Sequence, residues 1–211
     1  MASFKAICQT GLPANNENDL QIVAPIFPIV KASGASVWIN YHGPCTAGSS
    51  RDIPLELLID SDTQGAKIDR NDALPRVRAM LRGGERFSLR SASGIINVNT
   101  PDVWTPILDM KLNGLSFKGD ELYNPNWIIT SAIRASQTSL DALRATPLTA
   151  IGSLLGEYPS KGRPHIKKSS KYNTLNDLLV DVSRTFRGVL VYKECRLEDN
   201  THLFDIHFYR Q

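Results

Sequence analysis

The clearest hydrophobic pattern lies near the carboxyl end of the chain, where apolar residues recur at the spacing of an amphipathic helix. They are Leu175, Leu178, Leu179, Val182 and Phe186. Asn173 and Thr174 precede them as capping residues, and Gly188 follows as a residue that readily ends a helix. Two largely apolar runs come next, at 189–192 and 202–208, with polar residues between them. The pattern predicts a helix followed by a β-hairpin.

The same reasoning predicts further elements along the chain. Apolar runs predict strands at 35–41, 86–98 (a pair around Gly94), 107–117 and 127–134. Helical spacing predicts helices at 72–82 and 139–155, the second interrupted by Pro147. These strands and helices do not follow a regular β-α-β order. We therefore expect the α+β class, with one or more antiparallel sheets and with helices packed on one face.

The apolar segment 22–30 is interrupted by Pro25 and Pro28. Proline has no amide proton to donate to a strand ladder, so the segment is predicted to be an edge strand or an extended arm. We expect residues 1–31 to form an extended N-terminal arm and residues 32–211 to form a single α+β domain. The arm would either pack on a neighbouring copy and drive self-association, or fold back onto its own core.

Composition places the chain among globular proteins, since 42% of its 211 residues are hydrophobic and 21% are charged. The formal net charge of +3 allows contact with phosphate or with an anionic membrane. No apolar run approaches the length of a transmembrane helix. Cys8, Cys45 and Cys195 are odd in number and lack the spacing of a metal site. We therefore expect reduced cysteines and a reducing compartment.

The sequence has no recognisable catalytic motif. It contains no P-loop, no nucleophile elbow, no dinucleotide-binding fingerprint and no metalloprotease helix motif. The histidines are scattered at positions 42, 165, 202 and 207. His202 and His207 lie five residues apart on a predicted strand and would point to opposite faces. We therefore expect no enzymatic activity, no cofactor and no metal site.

Two basic groups remain as candidate binding residues. In the predicted helix at 72–82, the candidates for binding RNA or a nucleocapsid are Arg76, Arg78 and Arg82. The polar segment near 158–172 is predicted to be an exposed basic linker. Its candidates for binding an anionic lipid membrane are Lys161, Arg163, Lys167, Lys168 and Lys171. A solvated helix face and a solvated loop are the alternative interpretation of these two groups.

Two stretches resemble viral matrix proteins. The tetrapeptide Phe27-Pro28-Ile29-Val30 is similar to one near the amino terminus of paramyxovirus matrix proteins, where it is a late-domain-like budding element. The carboxyl-terminal order of helix, Gly188, apolar strand and closing strand is similar to the end of rhabdovirus matrix proteins. The chain is shorter than the first group and lacks the P-P-x-Y motif and lysine-rich leader of the vesiculovirus proteins. It thus resembles a matrix protein of a non-segmented negative-strand RNA virus.

The resemblance implies a non-enzymatic structural protein that self-associates, binds anionic membrane and the viral nucleocapsid or RNA, and supports virion assembly and budding. Phe27, Pro28, Ile29 and Val30 would serve self-association or a late-domain-like role. The expected location is the virion and the host cell cytoplasm, peripheral at the membrane, or the nucleus. Two alternatives stay open. A viral RNA-binding regulator would use the same arginines, and a small capsid protein would have fewer helices than are predicted.

Overall fold

The computed structural model describes residues 17–45, 72–81, 87–101, 104–112, 115, 117, 122–148, 163–167 and 171–210. The helices of this part are α1 (Glu17–Val23), α2 (Phe27–Ser33), α3 (Ala73–Met80), α4 (Pro125–Ala135), α5 (Gln137–Ala142) and α6 (Leu175–Phe186). A 3-10 turn at Ala24–Ile26 joins α1 to α2. The strands are β1 (Ser36–His42), β2 (Ser88–Ala92), β3 (Ile95–Asn99), β4 (Ala145–Pro147), β5 (Val189–Arg196) and β6 (His202–Tyr209).

The strands form one mixed sheet with the order β2-β3-β1-β5-β6-β4. β1 is parallel to both of its neighbours, so that Val37 lies between Ile96 and Val189. β2 with β3 and β5 with β6 are antiparallel pairs, and β4 is parallel to β6. The protein combines helices with a sheet, as the α+β class requires. The expectation of an antiparallel sheet is correct only for the β2–β3 and β5–β6 pairs, because β1 pairs in parallel with both β3 and β5 and β4 pairs in parallel with β6.

Both faces of this sheet are covered by helices. Val37 and Ile39 of β1 belong to a core that includes residues of α2 and α3, whereas Trp38 belongs to a core with residues of α4 and α6. Alternate residues of the same strand are therefore buried on opposite faces. The expectation of helices on one face is wrong, because the central strands have no solvent-facing side.

The helical N-terminal segment contradicts the predicted extended arm over its described part. Pro25 lies within the first two positions of the 3-10 turn, and Pro28 within the first two of α2. A proline there costs no hydrogen bond, because the first amides of a helix have no intrahelical acceptor. Each proline begins a helical segment instead of interrupting a strand. α2 also continues through the predicted domain boundary at residue 31.

This segment packs on the core of its own chain. In the tetrapeptide, Phe27, Ile29 and Val30 are 8%, 3% and 7% exposed, and Pro28 is exposed. The fully buried Lys193 of β5 holds α1 through an ion pair of 3.0 Å to Asp19. The structure therefore favours the alternative in which the segment folds back. The predicted role of residues 27–30 in self-association or budding stays a prediction, with one of the four side chains exposed.

Three other predicted elements need correction. The predicted strand at 127–134 is α4, because Asn124 caps it by accepting a hydrogen bond from the Trp127 amide at 3.1 Å. The described part of 107–117 is a turn with one isolated bridge, between Lys111 and Thr174. In the predicted helix at 139–155, helical structure ends at Ala142, and residues 149–155 lie outside the described residues. The remaining predicted elements are confirmed: β1, α3, the β2–β3 pair, α6, β5 and β6.

A disulfide joins Cys45 and Cys195 across 150 positions of sequence. Cys45 follows the end of β1, and Cys195 lies on β5, which pairs with β1. The expectation of reduced cysteines is therefore wrong for these two residues. Sequence spacing did not indicate the pair, because a parallel sheet aligns strand ends whatever their separation along the chain. Cys8 lies outside the described residues.

Candidate anion-binding pocket

A pocket lies at the edge of the sheet where β1 and β5 begin and β6 ends. These three strand ends are neighbours in the sheet register. Gly34 ends α2 just before β1, Arg187 ends α6 just before β5, and Arg210 directly follows β6. Parts of the chain that are distant in sequence therefore meet around one opening.

The pocket has a volume of about 620 Å³ and is lined by apolar and basic residues. The lining residues are Phe27, Val30, Lys31, Gly34, Pro164, Arg184, Thr185, Phe186, Arg187 and Arg210. Phe27, Val30 and Phe186 are buried and form an apolar floor. No carboxylate is among these lining residues.

Of the residues that the structure describes, four cationic side chains surround this opening: Lys31, Arg184, Arg187 and Arg210. All four are exposed. Within the described ranges, none of them forms an ion pair or a side-chain hydrogen bond. Three of the four are arginines, whose planar guanidinium groups match the geometry of phosphate and carboxylate. Their hydrogen-bond donors are available to an anionic ligand.

The helix ends at the pocket do not cancel this charge. α2 and α6 both end there, and the carboxyl end of a helix is equivalent to roughly −0.5 charge. The two ends together contribute about −1 against four full positive charges, which leaves about +3. Lys31 and Arg184 lie in the last turns and offset the helix ends. Arg187 and Arg210 are positive charges beyond those that offset the helix ends.

The backbone at Arg187 is strained, as it is at the other described non-glycine residues with positive φ, Ser93, Arg144 and Asn200. Its φ of 50° lies in the left-handed region, although the next residue, Gly188, would adopt such a conformation without a Cβ clash. Non-glycine residues in that region cost of order 1–3 kcal/mol and are concentrated at functional sites. The guanidinium of Arg187 lies against Gly34, with Nη1 3.6 Å from the position that a Cβ would take there.

The predicted membrane-binding group meets the pocket at one point. Arg163 precedes Pro164, which lines the opening, and Lys167 and Lys171 are exposed. Lys161 and Lys168 lie outside the described residues. The linker near 158–172 is not exposed throughout, since Ile166 is 1% exposed. Of the predicted membrane-binding residues, Arg163 is therefore next to the pocket, and none is one of the four cations that line it.

The predicted RNA-binding group lies on another element. Arg78 is exposed on α3 and Arg76 is partly buried, and Arg82 lies outside the described residues. α3 packs against α2, which contributes Lys31 to the pocket. Neither Arg76 nor Arg78 is among the residues that line the pocket. The sequence did not indicate the pocket because its cations are distributed over positions 31 to 210. Their one local signal in the sequence is a Lys or Arg in the last turn of a helix, which is also an ordinary feature of helix ends.

A second group of polar side chains lies at the opposite ends of β1 and β5. The buried carboxylate of Glu194 accepts hydrogen bonds from the Tyr192 hydroxyl at 2.6 Å and from the Trp104 amide. His42 Nδ1 lies 3.3 Å from the same carboxylate. His202 stacks on the Trp104 ring, with a centroid distance of 3.7 Å. We call these five residues the Glu194 cluster.

Burial perturbs the acid–base properties of the Glu194 cluster. It raises the pKa of Glu194, and hydrogen bonds from Tyr192, Trp104 and His42 offset part of that rise. Burial and the neighbouring carboxylate raise the pKa of Tyr192 well above its ordinary value. Burial lowers the pKa of His202, and Arg196 and His42 act in the same direction.

The Glu194 cluster is a weaker candidate for a ligand site than the basic pocket. Glu194 and Tyr192 are fully buried, so a ligand could reach them only past other side chains. No group of three metal-binding side chains exists among the described residues. Its hydrogen bonds instead connect β1, β5 and the segment at Trp104, which is a structural role.

Comparison of the chain with protein-family models, with curated proteins and with solved structures gives no match. The described helices include none that is long and apolar enough to cross a bilayer. A functional interpretation therefore depends on the geometry and charge of the pocket.

Proposed function

We propose that this chain is a non-enzymatic binding protein that holds the phosphate groups of a polyanion in the basic pocket. The observation that supports it most is the convergence of Lys31, Arg184, Arg187 and Arg210 on one cavity, where the described lining residues include no carboxylate. Cations that line the same cavity repel one another, and a bound anion removes that repulsion.

Phosphate is the anion that these side chains fit best. An arginine can donate two parallel hydrogen bonds to one phosphate, and charge-assisted hydrogen bonds are about twice as strong as neutral ones. A cavity of about 620 Å³ is large enough for more than one phosphate group. The pocket is concave, whereas a bilayer surface is broad and flat, so a flexible polyanion enters it more easily.

Inorganic polyphosphate tests the pocket alone, because it has closely spaced phosphates but no bases and no bilayer. We expect the native chain to bind labelled polyphosphate, with an affinity that falls as salt is added. The double variant Arg184→Gln/Arg210→Gln removes two charge-assisted contacts. It should weaken binding about tenfold or more.

The matched control is Arg90→Gln/Arg134→Gln, which makes the same change in net charge at exposed residues of β2 and α4. It should leave the affinity within about twofold, because neither Arg90 nor Arg134 lines the pocket and added salt screens exposed charges. Equal losses of polyphosphate affinity in the two double variants would show that the chain attracts polyanions by its overall charge. That outcome would refute the pocket as the binding site.

The matrix role stays a proposal that the resemblance suggests. Phosphate binding would serve it directly, because a nucleocapsid and an anionic bilayer both present phosphates. The helical, mostly buried state of residues 27–30 removes support from the budding role in particular. The disulfide between Cys45 and Cys195 favours folding in an oxidising compartment over the host cytoplasm.

A further inference from the structure

The surface beside the pocket contains aromatic residues as well as cations. The segment 163–167 contributes Pro164 to the pocket and then contacts the residues just before α4, where the Ile166 amide donates to the Leu122 carbonyl at 3.2 Å. His165 in this segment is exposed, and its ring lies 5.0 Å from that of Tyr123. An aromatic pair therefore follows directly after a residue of the pocket wall.

A second connection fixes the start of α4 against the end of β6. Asn126 Nδ2 donates to the Phe208 carbonyl at 2.9 Å, and Asn126 Oδ1 accepts from the Phe208 amide at 2.7 Å. Phe208 lies two residues before Arg210, which is about 7 Å in an extended chain. The first turn of α4 and the residues just before it are therefore each hydrogen-bonded to a segment that reaches the pocket.

Trp127 lies in this turn, directly after Asn126. It is 37% exposed and is the one large apolar side chain exposed among the residues that the structure describes. Its backbone amide is satisfied by the Asn124 cap, so its conformation is fixed at a helix start. Packing in the protein's own core therefore does not explain why a tryptophan occupies this position.

We propose that the pocket and the start of α4 form one binding path for single-stranded RNA, with a base stacked on Trp127. This inference rests on the proposed function, because the phosphates next to that base would lie at Arg210 and the other pocket cations. His165 and Tyr123 border the same path. Cations that follow a backbone, together with an exposed aromatic ring for a base, are the features of single-strand recognition.

The observations favour a single strand over a duplex and over a membrane. In a duplex the bases are paired and stacked on one another, so an aromatic ring at the surface has no base face to contact. Insertion into a bilayer would call for several exposed apolar side chains, and the described residues expose one large one. One ring beside a cluster of cations matches a flexible chain of bases and phosphates.

The test compares two probes on the full chain: a short uridine oligoribonucleotide and inorganic polyphosphate. Trp127→Ala should weaken the RNA complex by roughly five- to a hundred-fold and leave the polyphosphate complex unchanged. Trp127→Phe retains an aromatic face and should restore most of the loss. The double variant Arg184→Gln/Arg210→Gln should weaken both complexes. The native protein, with four phosphate contacts, should lose RNA affinity about fifty-fold between 50 and 200 mM salt. The double arginine variant, with two contacts, should lose it about sevenfold over the same range.

Each pattern of results gives a separate answer. If Trp127→Ala has no effect on RNA while the arginine variant weakens both probes, the stacking site is refuted and the pocket stands. If the native chain binds neither probe, the proposed function itself fails. Phosphatidylserine vesicles serve as a separate control. If Trp127→Ala releases the protein from these vesicles but not from RNA, the ring contacts lipid and the inference is overturned.

Discussion

Removal of the disulfide should strongly destabilise this fold. The bond between Cys45 and Cys195 closes a loop of 150 positions, most of the chain. In the chain-entropy model, a loop of that length lowers the entropy of the unfolded state by about 17 cal/mol/K, or about 5 kcal/mol at 25 °C. For a chain of 211 residues each kcal/mol shifts Tm by about 2–4 °C. Reduction should therefore lower Tm by about 10–20 °C.

Thermal unfolding followed by circular dichroism, with and without reductant, measures this shift. Chemical reduction is the cleaner perturbation, because it keeps both sulfur atoms and so preserves the packing of the fully buried Cys195. Cys45→Ser in the presence of reductant is the matched control. It should lower Tm little beyond reduction alone, since the cross-link is already absent. The substitution Cys8→Ser removes the third thiol and so prevents thiol–disulfide exchange with the Cys45–Cys195 bond.

Two results would refute the reasoning. One is a Tm that changes by less than about 2 °C on reduction, although mass spectrometry shows that the bond has been broken. The other is free thiols at Cys45 and Cys195 in protein purified without reductant. The first would mean that the unfolded chain is already compact, so that the cross-link restricts it little. The second would restore the reducing compartment that the sequence suggested.

Three further variants test other parts of the structure. Because burial raises the pKa of Glu194, its contribution to stability is present below about pH 4.5 and is lost as pH rises through the higher folded pKa. Glu194→Gln should abolish that decline in urea unfolding measured from pH 4 to 8, and an unchanged profile would contradict the assignment. Arg187→Gly should stabilise the fold by about 1 kcal/mol, because glycine adopts positive φ freely, and yet weaken polyphosphate binding. Asn126→Ala leaves the Phe208 backbone without two hydrogen bonds and should cost about 2 kcal/mol in urea unfolding, whereas a cost below about 0.5 kcal/mol would argue against that connection.

The sequence predicted elements best where local signals agree with one another. In α6, Thr174 and Asp177 form a capping box ahead of an apolar stripe, and the predicted helix matches the observed one closely. In α4, the apolar run at 127–134 favoured a strand, but the cap at Asn124 and Pro125 in the first turn determine a helix. The predicted extended arm was wrong for a related reason. Proline is common in the first turn of a helix, so Pro28 was as consistent with a helix start as with an interrupted strand.

Pairing between distant strands could not be predicted from the sequence. The apolar run of β1 is consistent with burial on both faces, but nothing in it specifies β3 and β5 as neighbours. The pocket and the disulfide both depend on that pairing. For this reason the sequence indicated basic groups by local density, near 72–82 and 158–172, and missed cations that are brought together only by the sheet.

The same pairing also keeps the two polar regions of the protein apart. Arg187 precedes the first residue of β5 and Glu194 lies near its other end. Seven residues of extended chain span about 23 Å, and two unit charges that far apart interact by about 0.7 kcal/mol at an effective dielectric constant of about 20. Ionisation of Glu194 should therefore change stability much more than it changes the electrostatic field at the pocket. Variants at the two ends of β5 should have additive effects, because residues so far apart and without shared partners rarely interact. A pH dependence of polyphosphate binding that follows Glu194 would contradict this separation and would indicate that β5 couples the pocket to the Glu194 cluster.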